Sequence, residues 1–265
     1  MRGSFPADCL HHFVKTRFGH VHAVELGEGE PLLLLHSVGC SAMEFEDVMR
    51  PLAARYRVFA WDMLGHGDSD PMPWRMSIEE YASSLSELIE VLALGRCHIA
   101  GASIGGLIAL EMATSHMSRV ASVALLETGL LSEERWIGMW PTVELTFGIP
   151  TQSLDDIRPR FRSADDALLT RWNIDRNKAG GASMVAAMWA IRNYRFGGAL
   201  GDLRVPALFL YGSNSPVKAS LETLETIRPA ADVRILPDCG HFPMVDDPPA
   251  FSRTLLDFLD SVSMG

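Results

Sequence analysis

The chain has 265 residues, 48% hydrophobic and 21% charged, enough apolar side chain to bury one large core, or a core with a sizeable insertion. A formal net charge of −10 excludes nucleic acid and anionic membrane surfaces as default partners, because polyanions repel such a protein. The opening MRGSFPADCL lacks an apolar h-region and predicts no signal peptide, and the densest apolar run, residues 32–35, is far too short to span a bilayer. The four cysteines, Cys9, Cys40, Cys97 and Cys239, show no CxxC spacing, so reduced thiols and a cytoplasmic location are expected. His20 and His22 would share one face of a strand, but no third ligand is near, so no metal is expected there.

In chain order, residues 20–25 predict an early strand and residues 32–35 a buried one. Residues 43–56 have helical spacing, and residues 57–62 read as the next strand. Ser77-Ile78-Glu79-Glu80 is a capping box that opens a helix running to Leu94, with Gly95 as its stop. A strand at 97–102, a helix at 104–116 and a strand at 120–126 follow. The alternation then breaks. Residues 129–200 have no clear strand and carry four of the six tryptophans, Trp136, Trp140, Trp172 and Trp189. Strand patterns resume at 207–211 and 233–236, and a helix over 248–262 closes the chain. Strands alternating with helices imply a mostly parallel sheet covered on both faces, with a helical insertion between two strands.

In such a sheet the chemistry sits at the carboxyl ends of the strands. Ser103 lies at one of them, within Gly101-Ala102-Ser103-Ile104-Gly105-Gly106. A nucleophile on a sharp strand-to-helix turn needs small neighbours so that strand and helix can approach. The helix beginning at Ile104 points free amides at whatever the serine attacks. Alone, the motif is only a hypothesis; its place between a strand and a helix strengthens it. A serine hydroxyl needs a base. Of nine histidines, His241 stands in a loop after strand 233–236, where it can reach Ser103; a surface histidine in a turn is the bland alternative. After strand 32–35 comes His36-Ser37-Val38-Gly39. The amides of Val38 and Ile104 can converge on an oxyanion, each such donor being worth about 2.7–4 kcal/mol. A plain strand-to-helix turn is compatible with the same residues.

PLLLLHSVG, WDMLGHGDSD, GASIGG, LFLYG and CGHFP, in that order, resemble the α/β-hydrolase fold superfamily over nearly the whole chain outside the insertion. The resemblance implies a mostly parallel sheet of about eight strands, with a helical cap over the active site between strands 6 and 7. It divides the chain into a core, residues 1–128 and 201–265, and a cap, residues 129–200. It also makes residues 62–69 a structural turn, so His66 and Asp68 receive no catalytic role. His36, Ser37, Trp136, Trp140 and Trp189 are the expected pocket residues, with packing of the cap onto the core as the alternative for more than half of the cap's aromatics and methionines.

Two departures stand out. Ser37 occupies a place where the family usually has glycine, and a serine there resembles enol-lactonases and their relatives. The family's acid would fall at Ser215, where no carboxylate stands. Without an acid to orient the imidazole, a serine hydrolase loses about 10⁴ in rate. Glu127, at the end of strand 120–126, is the expected substitute and keeps the chain order Ser, acid, His; Asp246 and Asp247 are the next candidates. The reading is a cofactor-free serine hydrolase using Ser103, His241 and Glu127 on a small or medium apolar ester, lactone or related carbonyl compound. A carbon–carbon bond hydrolase or lyase on the same scaffold, and a non-catalytic ligand-binding protein, are the alternatives. A small-molecule substrate is the expected partner; homo-oligomerisation is left open.

Overall fold

A computed structural model describes residues 5–263, so the first and last residues of the expected core segments, and part of the opening read for a signal peptide, lie outside the described residues. Its centre is an eight-stranded sheet in the order β1-β2-β4-β3-β5-β6-β7-β8. β1 (Leu10–Thr16), β2 (Gly19–Leu26) and β4 (Arg57–Trp61) pair antiparallel at one side. From β4 onward, β3 (Pro31–Leu35), β5 (Cys97–Ala102), β6 (Val120–Leu126), β7 (Ala207–Gly212) and β8 (Asp232–Leu236) all run parallel.

Helices cover both faces, and the period of two in the strands assigns side chains to each. Leu33 and Leu35 join the core under α2 (Ile78–Val91) and α3 (Ile104–Ser115). Leu32 and Leu34 join the opposite core, with α1 (Glu46–Ala53) and α10 (Pro248–Ser263). All four leucines are buried, each contributing about 1.5–3 kcal/mol. This is why β3 reads as a continuous apolar run. α2 starts as expected: Ser77 Oγ accepts from Glu80 N at 3.3 Å, and Ser77 N donates to the Glu80 carboxylate at 2.8 Å.

Three elements depart from the sequence reading. β1 was not expected; its LHHFVKT alternates, but its outward residues are exposed at the sheet edge, which leaves too little apolar signal. The helix expected over 43–56 is a 3₁₀ turn, Ala42–Phe45, leading into α1. α8 (Ser220–Ile227) also lies in a stretch the sequence left unassigned. Between β6 and β7 stand α4 (Glu133–Gly148), α5 (Leu154–Ile157), α6 (Asp166–Asn193) and α7 (Phe196–Asp202), with no strand among residues 129–200. Gly180, at φ +75°, breaks the helical path of α6 in two. α9 (Pro243–Asp246) is a single turn before α10.

His20 and His22 do not converge on a shared ligand: His20 pairs with Asp70 at 3.1 Å, His22 with the buried Asp62 at 2.7 Å. All four cysteines are free thiols. Among the described residues no helix is long and apolar enough to cross a membrane.

Candidate active site

Ser103 joins β5 to α3 at φ +54° and ψ −113°. A non-glycine residue held there costs about 1–3 kcal/mol, and its surroundings hold it. A Cβ on Gly101 would collide with the Gly105 carbonyl, one on Gly105 with the Leu35 carbonyl, and one on Gly106 with Thr128 Oγ1. The three glycines are therefore required by close approach. They draw the start of α3 onto the end of β3, whose Leu35 pairs with Gly101. Ser103 N donates to Leu126 O at 2.8 Å, tying the turn to β6. The Ile104 amide, at the first helical position, has no intrahelical acceptor. Val38 lies in the turn that follows β3, the neighbouring strand.

That turn is braced from within. Met63 N donates to His36 Nε2 at 3.0 Å, so the His36 proton sits on Nδ1 and goes to Ser37 O at 2.7 Å. Burial lowers the His36 pKa, in keeping with a neutral ring. Ser37 donates to Glu44 through both N, at 2.8 Å, and Oγ, at 3.1 Å. His36 and Ser37, expected in the pocket, thus spend their polar atoms on the turn. Glu44 also accounts for a serine in a glycine position, because it accepts the added hydroxyl. The sequence reading missed Glu44; it is one of three acids within four residues, Glu44, Glu46 and Asp47, and nothing local singles it out.

Burial pushes the Glu44 pKa from 4.5 to about 7. The folded state therefore holds this proton more tightly than the unfolded chain. Stability is lost as pH rises from about 4.5 to about 7, and the loss is complete above that window. Glu44→Gln should flatten this part of the profile. Urea midpoints at pH 5 and pH 8 check it: an unchanged difference between the two pH values in the variant would show that Glu44 does not titrate in the window.

His241 is placed by its own loop. His241 N donates to Arg160 O at 2.7 Å, and Gly240 N donates to Asp246 Oδ2 at 2.7 Å. Asp246 also accepts from Arg162 N at 2.8 Å, and Asp247 accepts from Ala250 N at 3.0 Å. Both alternative acids are thus engaged in loop and helix-start contacts.

His241 Nδ1 lies 3.2 Å from Glu127 Oε2. Glu127 is wholly buried at the end of β6, with φ +49°. Its carboxylate also accepts from Gly212 N and from Ser215 Oγ. β6 and β7 are neighbours, with Leu126 opposite Leu210, so the residues just beyond the two strands lie side by side. Ser215, at the position without its acid, has become a donor to the acid of the next strand. With Nδ1–H directed at Glu127, Nε2 keeps its lone pair for a proton.

Trp136 and Trp140 stand on α4 and Trp189 on α6. Trp140 and Trp189 lie 4.2 Å apart between ring centroids, with the Arg192 guanidinium over both. Trp189 lines a cavity of about 380 Å³ with Met76 and Glu79, and Trp136 one of about 320 Å³ with Arg195 and Phe196. Neither cavity is lined by Ser103 or His241. These rings pack the helices between β6 and β7.

A family model described as "Alpha/beta hydrolase family" matches residues 32–254. The chain is 25% identical over 259 residues to a pimeloyl-[acyl-carrier protein] methyl ester esterase of Aeromonas hydrophila, covering 90% of this chain and 99% of that one. It is 28% identical over 278 residues to a 2-hydroxy-6-oxononadienedioate/2-hydroxy-6-oxononatrienedioate hydrolase of Pseudomonas putida, covering 93% and 95%. The crystal structure of a membrane phospholipase A matches with a TM-score of 0.83 and 26% identity, over 97% of this chain and 87% of that one.

Proposed function

This chain belongs to the α/β hydrolase family and is an esterase-like enzyme of it, and from that premise we propose that Ser103, His241 and Glu127 form its catalytic triad. The observation that carries the proposal is the 3.2 Å contact between His241 Nδ1 and the buried Glu127 carboxylate. A ligand-binding protein that had lost its acid at Ser215 would have no need of this replacement.

Ser103 Oγ attacks the carbonyl carbon while His241 Nε2 takes its proton. Glu127 stabilises the imidazolium that forms. The amides of Val38 and Ile104 donate to the oxyanion. As the tetrahedral intermediate collapses, His241 returns the proton to the leaving oxygen and an acyl-serine remains. Water, deprotonated by His241, then attacks the acyl carbon and releases the acid. Residues 129–200 serve as the cap over a core of residues 1–128 and 201–265. The substrate is a small or medium ester, lactone or related carbonyl compound, and the chemistry uses no cofactor.

Carbon–carbon bond hydrolysis is the second reading, supported by the 28% identity to the oxononadienedioate hydrolase. Products separate the two, because an ester yields an alcohol and carbon–carbon cleavage does not.

The first test is labelling with a fluorophosphonate, read by intact mass and peptide sequencing. A single adduct on Ser103 is the expected result. A folded protein that remains unlabelled, or is labelled elsewhere, would overturn the assignment.

A further inference from the structure

Two arginines without an ion pair stand against the turn after β3 and the loop of the proposed base. Arg176, on α6 before the Gly180 break, is fully buried. Its Nε donates to Pro150 O at 2.9 Å, and its Nη2 to Thr146 O at 2.6 Å and Ile149 O at 3.0 Å. These bonds cap the carbonyl end of α4 and hold the guanidinium rigid. The remaining nitrogen, Nη1, is buried with no hydrogen-bond partner. It faces the turn after β3: a Cβ on Gly39, next to Val38, would lie 3.2 Å from it.

Arg160 comes from the opposite side. Its carbonyl accepts the His241 amide, so its backbone is fixed to the loop of the proposed base. Its guanidinium carbon lies 5.5 Å from the Trp172 ring centroid and 5.7 Å from that of Phe147. The Arg176 guanidinium lies 5.7 Å and 5.6 Å from the same two rings. One aromatic pair therefore holds both cations, between the His241 loop and the Gly39 turn.

Like charges in such a place are costly. Burial and repulsion from Arg160 lower Arg176 to about 10, still protonated at neutral pH. Among the described residues neither guanidinium takes part in an ion pair. Asp156, the carboxylate whose field reaches both, is exposed and bonded to Ser153. Cation–π contacts offset part of the charge but leave the Nη1 donor unused. His66 is buried within the electrostatic reach of Arg176, and burial keeps it neutral. A planar anion would satisfy what the protein leaves open, since guanidinium forks match a carboxylate's two oxygens.

We infer that Arg160 and Arg176 form a carboxylate subsite next to the reacting groups, so that the preferred substrate is an ester or related carbonyl compound carrying a free carboxylate. This deepens the serine-hydrolase reading and rests on it. The net charge of the whole chain, −10, does not oppose it, because a local pair of cations outweighs distant, screened charges.

Two matched ester pairs test it. One is p-nitrophenyl butyrate against mono-p-nitrophenyl glutarate, with the carboxylate on the acyl side. The other is phenyl acetate against 4-acetoxybenzoate, with it on the leaving side. In at least one pair kcat/KM for the anionic ester should exceed that for the neutral one by about tenfold or more. Arg160→Met should shrink that ratio by about tenfold, and Arg160→Lys should keep most of it. Arg160 makes no side-chain hydrogen bond, so its substitution avoids the capping role of Arg176. A ratio near one in both pairs, or a ratio unchanged in Arg160→Met, would overturn the subsite. Calorimetric titration with glutarate needs no turnover. Loss of binding in Arg160→Met supports the subsite, and no binding to wild type counts against it. An unlabelled Ser103 would sink the hydrolase reading alone, whereas a labelled Ser103 with no anion preference and no glutarate binding sinks only this inference.

Discussion

Glu127→Gln is expected to lower kcat on an activated ester by about 10³- to 10⁴-fold with little change in melting temperature. The amide keeps the shape of the carboxylate and can still accept from Gly212 N, so the end of β6 stays in place. Its NH₂ must then face His241 Nδ1 and Ser215 Oγ, where the carboxylate accepted hydrogen bonds. Against an NH₂ donor, Nδ1 must act as acceptor. The ring proton moves to Nε2, and the lone pair that takes the serine proton is lost. The imidazolium also loses the charge that stabilises it, and in a site with 0% exposure of Glu127 no water replaces that charge. The check is kcat and kcat/KM beside a thermal melt. Turnover within about threefold of wild type, a barrier change of well under 1 kcal/mol, would remove Glu127 from the proposed triad.

Ser215→Asp should be harmful, although it restores the residue type the family usually has there. Ser215 Oγ donates to Glu127 Oε2 and accepts from Val217 N at 3.1 Å. An aspartate removes that donor and sets a second carboxylate against a buried one. Two such groups cannot both ionise, so one holds its proton or the structure yields. Stability should fall by on the order of 3 kcal/mol, and turnover by about tenfold or more as the pair titrates together. Adding Glu127→Gly should reverse the loss, since glycine accepts the φ of +49° at that position. The double variant should exceed Glu127→Gly alone by about 10²-fold in kcat, because one carboxylate again faces His241. If it is no faster, position 215 does not reach the imidazole. The idea that acids beyond β6 and β7 are interchangeable then fails.

The uneven legibility of the chain follows from the range over which each feature is specified. The Ser103 turn is visible because its requirements are local: an apolar strand before it, a helix after it, and glycines at the positions where backbone and side chains crowd. β3 and the Ser77 capping box are readable for the same reason, each resting on residues within one turn or one strand. β1 is not, because an edge strand presents half its side chains to water. Which aromatics between β6 and β7 pack and which line a cavity is not readable, because apolar character does not say which side of a helix faces a cavity. Trp140 and Trp189 meet each other across α4 and α6.

The sequence by itself determined the succession of strands β2 to β8, the interruption between β6 and β7, and the residue types that can carry acyl chemistry. Only the tertiary structure decided what those residues touch. His241 and Glu127 are 114 positions apart in the chain. They meet because β6 and β7 are neighbours and the loop after β8 folds back over their ends. Ser215 became a hydrogen-bond donor, and Glu44 the acceptor for Ser37, through contacts that composition and spacing do not encode. Arg160 and Arg176 are two ordinary arginines in the chain. They become an unpaired couple, Arg176 buried and Arg160 half-buried, only when Phe147 and Trp172 bring them together, because the cost of an unpaired charge depends on the dielectric around it and not on its place in the sequence.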